Sequence, residues 1–336
     1  MSMRETLLLR LRAAAAFVAA AALLCTAAFA AEALIPVGEA VGIRLDVDGA
    51  LVAGVSEIET EAGVTSPAAE AGVRAGDVIV AVNGRPVDSA ASFAAQASAM
   101  TGGTELTLLR GDRQIRVTVT PAADENGGAR FGLWLRDGVT GVGTVTYIDP
   151  ATGAFGALGH GVNDPDSGAL LPADGGGVYR ARVVDVTPGA AGTPGELAGM
   201  FSAASSFGTV ASNTVSGVFG TLTEPYETTR RPVEVAPPDE VVSGPATILA
   251  CVDGQEAREY AVEISRSGIL GGGDGRDLAV RVTDPALLAL TGGIVQGMSG
   301  SPILQNGRLV GAVTHVLTAD PTRGYGIYID RMLQAS

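Results

Sequence analysis

Short apolar runs of β type recur along this chain from about residue 130 onward, separated by turns rich in glycine, proline and aspartate. Examples are the runs 143–148, 177–186, 246–252 and 278–282, and helical periodicity is weak between them. Many short strands with frequent turns are typical of a β-barrel or a β-sandwich. The 336 residues and 46% hydrophobic content allow two domains with sizeable cores.

A glycine-flanked serine lies in the segment 291–303, TGGIVQGMSGSPI. An Asn306-Gly307 turn between two apolar runs follows and predicts a β-hairpin that anchors the loop. A nucleophilic serine needs a rigid setting and backbone N–H groups that receive the charge developing on a substrate carbonyl. The amides of Gly297 and Ser299 are two residues apart and can point into one concavity. The segment therefore favours a catalytic serine, with a purely structural turn as the alternative.

The chain contains two histidines, which narrows the search for a general base. His160 lies in a small-residue segment at the end of an apolar run, and His315 lies within a strand-like alternation. A single histidine is usually structural. Beside a serine in such a turn, however, one of the two is expected to accept the hydroxyl proton.

Three segments resemble, in this order, the stage IV sporulation protein B family of serine peptidases. They are 155–164 (FGALGHGVND), 284–303 (DPALLALTGGIVQGMSGSPI) and 311–326 (GAVTHVLTADPTRGYG). The resemblance covers the chain from about Phe131 to its end. It implies a trypsin-like pair of β-barrels with the active site in the cleft between them.

The same resemblance implies a role for each candidate side chain. Ser299 would be the nucleophile, His160 the general base and Asp284 the residue that orients the histidine. His315 would be structural or would line the substrate cleft.

The orienting acid has alternatives. Asp284 lies in the same half of the chain as Ser299, whereas the acid of trypsin-like enzymes comes from nearer the histidine. Asp149 and Asp164 are nearer in sequence to His160. Asp284 also suits the N-cap of a helical turn beginning at Pro285.

Residues 41–121 have the pattern of a compact α/β module. The run SPAAEAGVRAGDVIVAVNGRPV (66–87) resembles the PDZ domains of bacterial exported proteases. In such domains a peptide adds as a strand beside a helix, and backbone amides hold its C-terminal carboxylate. By position, Gly42 and Ile43 would belong to the amide loop and Ser89–Met100 would form the groove helix. A PDZ fold that only braces its neighbour is the alternative.

Residues 1–31 are predicted to be a targeting segment, because three arginines precede an apolar, alanine-rich run and a small-x-small site. A cleaved signal peptide and an uncleaved signal anchor both fit, and either predicts export of the rest of the chain. The following segment, Glu32–Ala40, is expected to be accessible. The family resemblance implies that the protein cleaves itself there.

The predicted fold is mainly β, with an N-terminal PDZ α/β module (41–121), a linker (122–130) and a trypsin-like double β-barrel peptidase domain (131–336). A net charge of −14 argues against a nucleic-acid partner. Cys251 is the one cysteine outside the targeting segment, which argues against a thiolate metal site. No metal or other cofactor is expected.

The family resemblance implies an exported serine endopeptidase that acts in sporulation signalling. Such peptidases enter the space between the forespore and mother-cell membranes and cleave a membrane-associated regulator. The cleavage releases an intramembrane protease that activates a mother-cell sigma factor. Peptide C-termini or the protein's own N-terminal segment would occupy the PDZ groove.

Two other classes of function fit the sequence. One is a general exported quality-control protease, although in that family the protease precedes the PDZ domain. The other is a PDZ scaffold with an inactive peptidase domain, against which the intact Ser299 and His160 pair counts.

Overall fold

The computed structural model describes residues 33–60, 63–111, 113–123, 128–267 and 275–336. The predicted targeting segment lies outside these ranges. Strands predominate in the described chain, which confirms the predicted mainly β fold. Within these ranges no helix combines the length and the apolar character that crossing a membrane requires.

The elements of the N-terminal part begin with two strands, followed by a small α/β module. They are β1 (Ala33–Pro36), β2 (Ala40–Val55), β3 (Ile58–Thr60), β4 (Gly63–Thr65), α1 (Pro67–Glu70), β5 (Val78–Val82), β6 (Arg85–Pro86), α2 (Ala90–Ala97), β7 (Thr104–Arg110), β8 (Arg113–Val119), β9 (Ala122–Ala123) and β10 (Ala129–Arg130).

The elements of the remaining chain are mostly strands. They are β11 (Leu133–Ile148), β12 (Ala154–Ala157), β13 (Gly176–Thr187), β14 (Glu196–Thr214), β15 (Gly217–Leu222), β16 (Val233–Glu234), β17 (Gly244–Ala250), β18 (Arg258–Arg266), β19 (Leu278–Val282), α3 (Pro285–Thr291), β20 (Pro302–Gln305), β21 (Arg308–Val316), β22 (Arg323–Tyr328) and α4 (Ile329–Ala335).

The first barrel is a closed ring of β11, β12, β15, β14, β13 and β2. The ring closes because β11 pairs with β12 on one edge and with β2 on the other. In β2, residues 40–46 pair with 138–144 of β11, and residues 41–45 pair with 176–180 of β13. Inward-facing aliphatic side chains from these strands form a common core. A strand from the far N-terminal side of the PDZ module therefore completes this barrel.

The PDZ module is inserted between two strands of the first barrel. Beyond Gly49, β2 leaves the barrel and pairs through Ala50 and Leu51 with β5 of the module. The module has its own core, which Phe93 of α2 joins. The predicted boundary at Val41 therefore needs correction, because one 16-residue strand serves the barrel with its first half and the PDZ sheet with its second.

The second barrel is formed by β17, β18, β19, β22, β21 and β20, which close into a ring. The predicted hairpin is confirmed, since Gln305 of β20 pairs with Arg308 of β21. Asn306 and Gly307 have φ of 53° and 76°, which is the left-handed geometry of a two-residue hairpin turn. This hairpin fixes the end of the loop that carries Ser299.

The segment predicted to be accessible is part of the sheet. Strand β1 pairs with β11 through Ile35 and with β16 through Leu34. The side chains of Leu34 and Val37 are buried. The expectation of an uncovered segment at Glu32–Ala40 is therefore wrong for residues 33–40, because their apolar side chains pack into the core.

Candidate active site

A cavity of about 460 Å³ between the two barrels brings together the predicted serine and both histidines. His160 follows β12 of the first barrel, and Ser299 lies in the loop between α3 and β20 of the second. His315 reaches the cavity from β21. The rest of the wall is largely aliphatic and includes Ile43 and Val142. Residues 139 positions apart in sequence thus meet in one cleft, as the resemblance implies.

The loop around Ser299 depends on glycines at sharply turned positions. Gly297 and Gly300 have φ of +95° and +98°, a region that side chains disfavour. A Cβ on Gly300 would lie 2.1 Å from the carbonyl oxygen of Thr144 on β11. The Gly300 N–H donates to the carbonyl of Val313 at 2.8 Å. The loop is thus held between both barrels with its backbone in one conformation.

Two backbone amides beside the serine are available to a ligand. Among the described residues, neither Gly297 N–H nor Ser299 N–H donates to a protein acceptor, and both residues line the cavity. The intervening Met298 N–H is used, since it donates to the carbonyl of Val295 at 3.1 Å. Two unengaged N–H groups flanking a nucleophile suit an oxyanion hole. The assignment of Gly297 and Ser299 to this role stays a prediction that the geometry supports.

The imidazole of His160 is oriented by a backbone group. Its Nδ1 lies 2.8 Å from the carbonyl oxygen of Gly161 and donates to it, which leaves the lone pair on Nε2. Burial lowers the pKa of His160, and the hydrogen bond to Gly161 opposes this only in part. The ring is therefore neutral around pH 7, in the tautomer that accepts a proton at Nε2.

The hydroxyl of Ser299 points to β21. Its Oγ donates to the carbonyl oxygen of Thr314 at 2.8 Å. The neighbouring His315 ring lies with its centroid 5.3 Å from that of His160, tilted by 36°. The prediction that His315 belongs to the cleft agrees with this position. Catalytic hydrogen bonds of a serine and its base commonly form only when a substrate is bound.

Asp284 makes no hydrogen bond to His160 in this structure and is not part of the cavity wall, so its place in the triad stays a prediction. It caps α3: one carboxylate oxygen accepts from the N–H groups of Ala286 and Leu287 at 2.9 and 3.1 Å. The other accepts from the Ala261 N–H at 3.2 Å. Burial acts to raise the pKa of Asp284, but the hydrogen bonds from these three amides outweigh it, and the pKa lies below its ordinary value. Asp284 therefore caps α3 with one carboxylate oxygen and joins the start of that helix to β18 with the other.

The two alternative acids are also engaged elsewhere. Asp149 accepts hydrogen bonds from Ala151 and Thr152 in its own turn. Asp164 is buried and forms an ion pair with Arg136. No acidic side chain is among the described residues that line the cavity. In this structure the Gly161 carbonyl orients the histidine, and sequence reasoning missed it because a backbone group leaves no residue-specific signal.

Gly42 and Ile43 do not form a PDZ amide loop. They lie in the barrel half of β2, paired with β11 on one edge and with β13 on the other. A residue in the middle of a sheet has no backbone amide left for a peptide carboxylate. Ile43 lines the catalytic cavity instead. This prediction is wrong because the strand belongs to the barrel at this point.

The groove of the PDZ module lies between α2 and the start of β11. It encloses about 740 Å³, and Ala94 of α2 and the segment Phe131–Leu135 are among its walls. Residues 133–136 of β11 pair with β2 on one edge, and no described strand covers the other. Trp134, the single tryptophan of the chain, is 67% exposed there. The glycine-containing apolar run FGLW was the available signal, but it falls at the predicted domain boundary.

Comparisons with known proteins agree with the order of these parts. The family described as SpoIVB peptidase S55 matches residues 127–333, and a PDZ domain family matches residues 60–110. The chain is also similar to the periplasmic serine endoprotease DegP of Escherichia coli K12 and of Escherichia coli O157:H7, each 46% identical over 56 residues. That overlap is 16% of this chain and only 12% of each DegP protein, so the chain spans a small part of these relatives.

The SpoIVB peptidase match covers well over half of the chain and includes both His160 and Ser299. It agrees with the double barrel and with the cavity in which these two side chains meet. The PDZ match falls within the inserted module. The chain therefore belongs to the SpoIVB peptidase S55 family of serine peptidases, with a PDZ domain built into its first barrel.

Proposed function

We propose that this protein is an exported serine endopeptidase that cleaves a membrane-associated protein in sporulation signalling. The observation that carries the enzymatic part is the cavity in which Ser299, a neutral His160 and two unengaged amides converge. Membership of the SpoIVB peptidase family supports the cellular part.

The proposed reaction begins with a rotation of the Ser299 side chain from the Thr314 carbonyl toward His160. As Oγ attacks the carbonyl carbon of the scissile peptide bond, its proton passes to Nε2 of His160. The amides of Gly297 and Ser299 hydrogen-bond the resulting oxyanion. His160 then protonates the leaving amine, which leaves the acyl group on Ser299. Water, deprotonated by His160, hydrolyses that ester and restores the enzyme.

The substrate we propose is a membrane-associated regulator of an intramembrane protease, in the space between the forespore and mother-cell membranes. Cleavage of the regulator would lead to activation of a mother-cell sigma factor. The family resemblance and the predicted targeting segment support this placement. Export, by a cleaved signal or with a retained membrane anchor, is part of the same proposal.

We also propose that the protein cleaves itself on the N-terminal side of β1. Since β1 is paired on both edges, a cut before Ala33 would leave the sheet intact. Expression of the full chain beside Ser299→Ala tests this by N-terminal sequencing of both products. The same N-terminus on the two proteins would exclude self-cleavage.

A peptide partner is proposed for the PDZ groove, either the C-terminus of a substrate or the N-terminal segment of this chain. Its backbone would extend the sheet at the uncovered edge of β11, beside α2. The exposed Trp134 gives a fluorescence signal for titration with peptides ending in a free valine carboxylate. Peptides with an amidated C-terminus are the control, because they lack the carboxylate that backbone N–H groups of a PDZ groove bind.

The test of the main proposal separates chemistry from substrate choice. Fluorophosphonate labelling of the protein without its targeting segment, compared with Ser299→Ala, reports an activated serine. Incubation with candidate regulators reports the substrate. Label on Ser299 without cleavage of any regulator would reject the signalling role, and absence of label would reject the enzyme in favour of a PDZ scaffold.

The similarity to DegP keeps a general quality-control protease as the second candidate. Such an enzyme would degrade unfolded proteins without sequence preference. Digestion of reduced, unfolded casein at a rate matching that of the regulator would favour it.

A further inference from the structure

Thr144 of β11 contacts both of the loops that carry the proposed catalytic side chains. It is 2% exposed. Its Oγ1 donates to the carbonyl oxygen of Gly297 at 2.8 Å, and its backbone N–H donates to the carbonyl oxygen of Ser299 at 3.1 Å. Its own carbonyl accepts from the Leu158 N–H at 3.1 Å. One residue of the first barrel thus joins the serine loop of the second barrel to the histidine loop of the first.

The contacts with the serine loop fall on the two residues that offer the unengaged amides. Thr144 holds the carbonyl oxygens of Gly297 and Ser299 in place. These carbonyls belong to the planar peptide groups 297–298 and 299–300, which lie on either side of the group 298–299 that carries the Ser299 N–H. The close approach of Gly300 to the Thr144 carbonyl adds a steric restraint on the same loop. Thr144 therefore restrains the peptide groups next to those that carry the Gly297 and Ser299 N–H groups.

The contact with the histidine loop falls on a strained residue. Leu158 has φ of +68°, a conformation uncommon outside glycine. Such a backbone persists only where its surroundings hold it. The Leu158 N–H bond to Thr144 supplies part of that support, and His160 lies two residues further on. The position of the imidazole is thus tied to the same residue as the oxyanion hole.

We propose that Thr144 is a positioning residue, whose side-chain hydroxyl fixes the oxyanion-hole loop against the first barrel. The inference rests on the proposed serine-peptidase function. It assigns Thr144 no contact with substrate, so its loss should lower kcat and leave KM nearly unchanged.

The neighbouring Thr146 provides a matched control. It is fully buried on the same strand, and its Oγ1 has no hydrogen-bond partner among the described residues. Replacement of either threonine by valine preserves shape and removes one hydroxyl. Only Thr144→Val removes a donor to the serine loop.

The experiment measures kcat and KM for hydrolysis of a short chromogenic peptide, the rate of fluorophosphonate labelling and the melting temperature for four variants beside the wild type. Thr144→Val should lower kcat and the labelling rate on the order of a hundredfold, as misplacement of reacting groups by about 1 Å does. Thr144→Ser, which keeps the hydroxyl, should restore most of both. Thr146→Val should match the wild type. Thr144→Ala removes the same donor without added bulk and covers the case in which the valine variant does not fold.

The outcomes separate this inference from the function on which it rests. A wild-type protein without labelling at Ser299 would reject the function itself. If the wild type is labelled at Ser299 and either Thr144→Ala or Thr144→Val has the same kcat as the wild type, the positioning role is overturned. Equal losses of kcat in the Thr144→Val and Thr146→Val variants would also overturn it, since the effect would then come from general packing.

Discussion

The catalytic cavity and the PDZ groove are both built on β11, but one edge of this strand is bonded to loops at the cavity and uncovered at the groove. Both parts of the strand, 138–144 at the cavity and 133–136 at the groove, pair with β2 on one edge. At the cavity, the other edge of β11 is bonded through the backbone of the buried Thr144 to the serine loop and the histidine loop. In the groove, the 133–136 part has one uncovered edge and carries the exposed Trp134. Chemistry needs groups fixed by their surroundings, whereas recognition of an extended peptide needs unpaired backbone. One strand meets both requirements by changing its neighbours along its length.

The largest effect should come from the cavity and leave the groove untouched. Ser299→Ala and His160→Ala should each lower turnover on the order of a million-fold, because neither group acts without the other. Peptide binding measured by Trp134 fluorescence should be unchanged in both variants. Loss of peptide binding in Ser299→Ala would break the separation between the two sites, and an active His160→Ala variant would overturn the mechanism.

The reciprocal change fills the groove and leaves the cavity intact. Ala94 is exposed on α2 and lines the groove, so Ala94→Phe should weaken peptide binding by tenfold or more, which corresponds to about 1.4 kcal/mol. Ala95→Phe is the matched control, because Ala95 is exposed on the same helix outside the groove. Both variants should hydrolyse a short chromogenic peptide at the wild-type rate. A reduced rate in Ala94→Phe alone would instead indicate that the groove acts on the cavity.

The pH dependence of kcat/KM should reflect the burial of His160. Because the pKa of His160 is lowered, the neutral base persists in more acidic solution, and the acid limb of kcat/KM should lie below the ordinary histidine value of about 6.5. Between the lowered pKa and that value the unfolded chain binds more protons, so stability should fall as the pH falls. His315→Gln is the control, since an acid limb that moves in this variant would assign the titration to His315.

The smallest effect is expected at Asp284. In Asp284→Asn, the amide oxygen can still cap α3, but the bond from Ala261 N–H is lost, at a cost of about 1 kcal/mol. Turnover should stay within a few-fold of the wild type, far from the ten-thousand-fold loss expected for an acid that orients the histidine. Hydrolysis rates and melting temperatures check both expectations. A loss of the larger size would show that Asp284 reaches His160 during the reaction.

The features predictable from sequence were those that depend on neighbouring residues. The Asn306-Gly307 hairpin is confirmed, because turn chemistry acts over a few positions. A histidine was expected beside Ser299 because few residue types can perform the chemistry, and the family resemblance singled out His160. Asp284 had two local interpretations, and the structure supports the cap.

The features that escaped prediction depend on pairing between distant residues. Nothing near Gly42 indicates that its partners are Val142 and Tyr179, since a paired and an unpaired strand edge have the same sequence pattern. For the same reason the open edge beside Trp134 was not assigned to the PDZ groove. The neighbours in the sheet, and not the side chains, decide which part of β2 or β11 has an edge open to a ligand.

The insertion of the PDZ module has a consequence for chain synthesis and for engineering. Ala40 pairs with Thr144, so the first barrel cannot close on the ribosome until more than a hundred further residues have been made. A fragment that starts at residue 131 would lack a barrel strand and expose an aggregation-prone edge. Asp46 and Gly138, by contrast, are direct partners at the point of departure. A cassette deletion of residues 47–137, bridged by an Asn-Gly turn, would keep β2 paired with β11 but would also remove Val47, Leu51 and Val78 from the core of the first barrel.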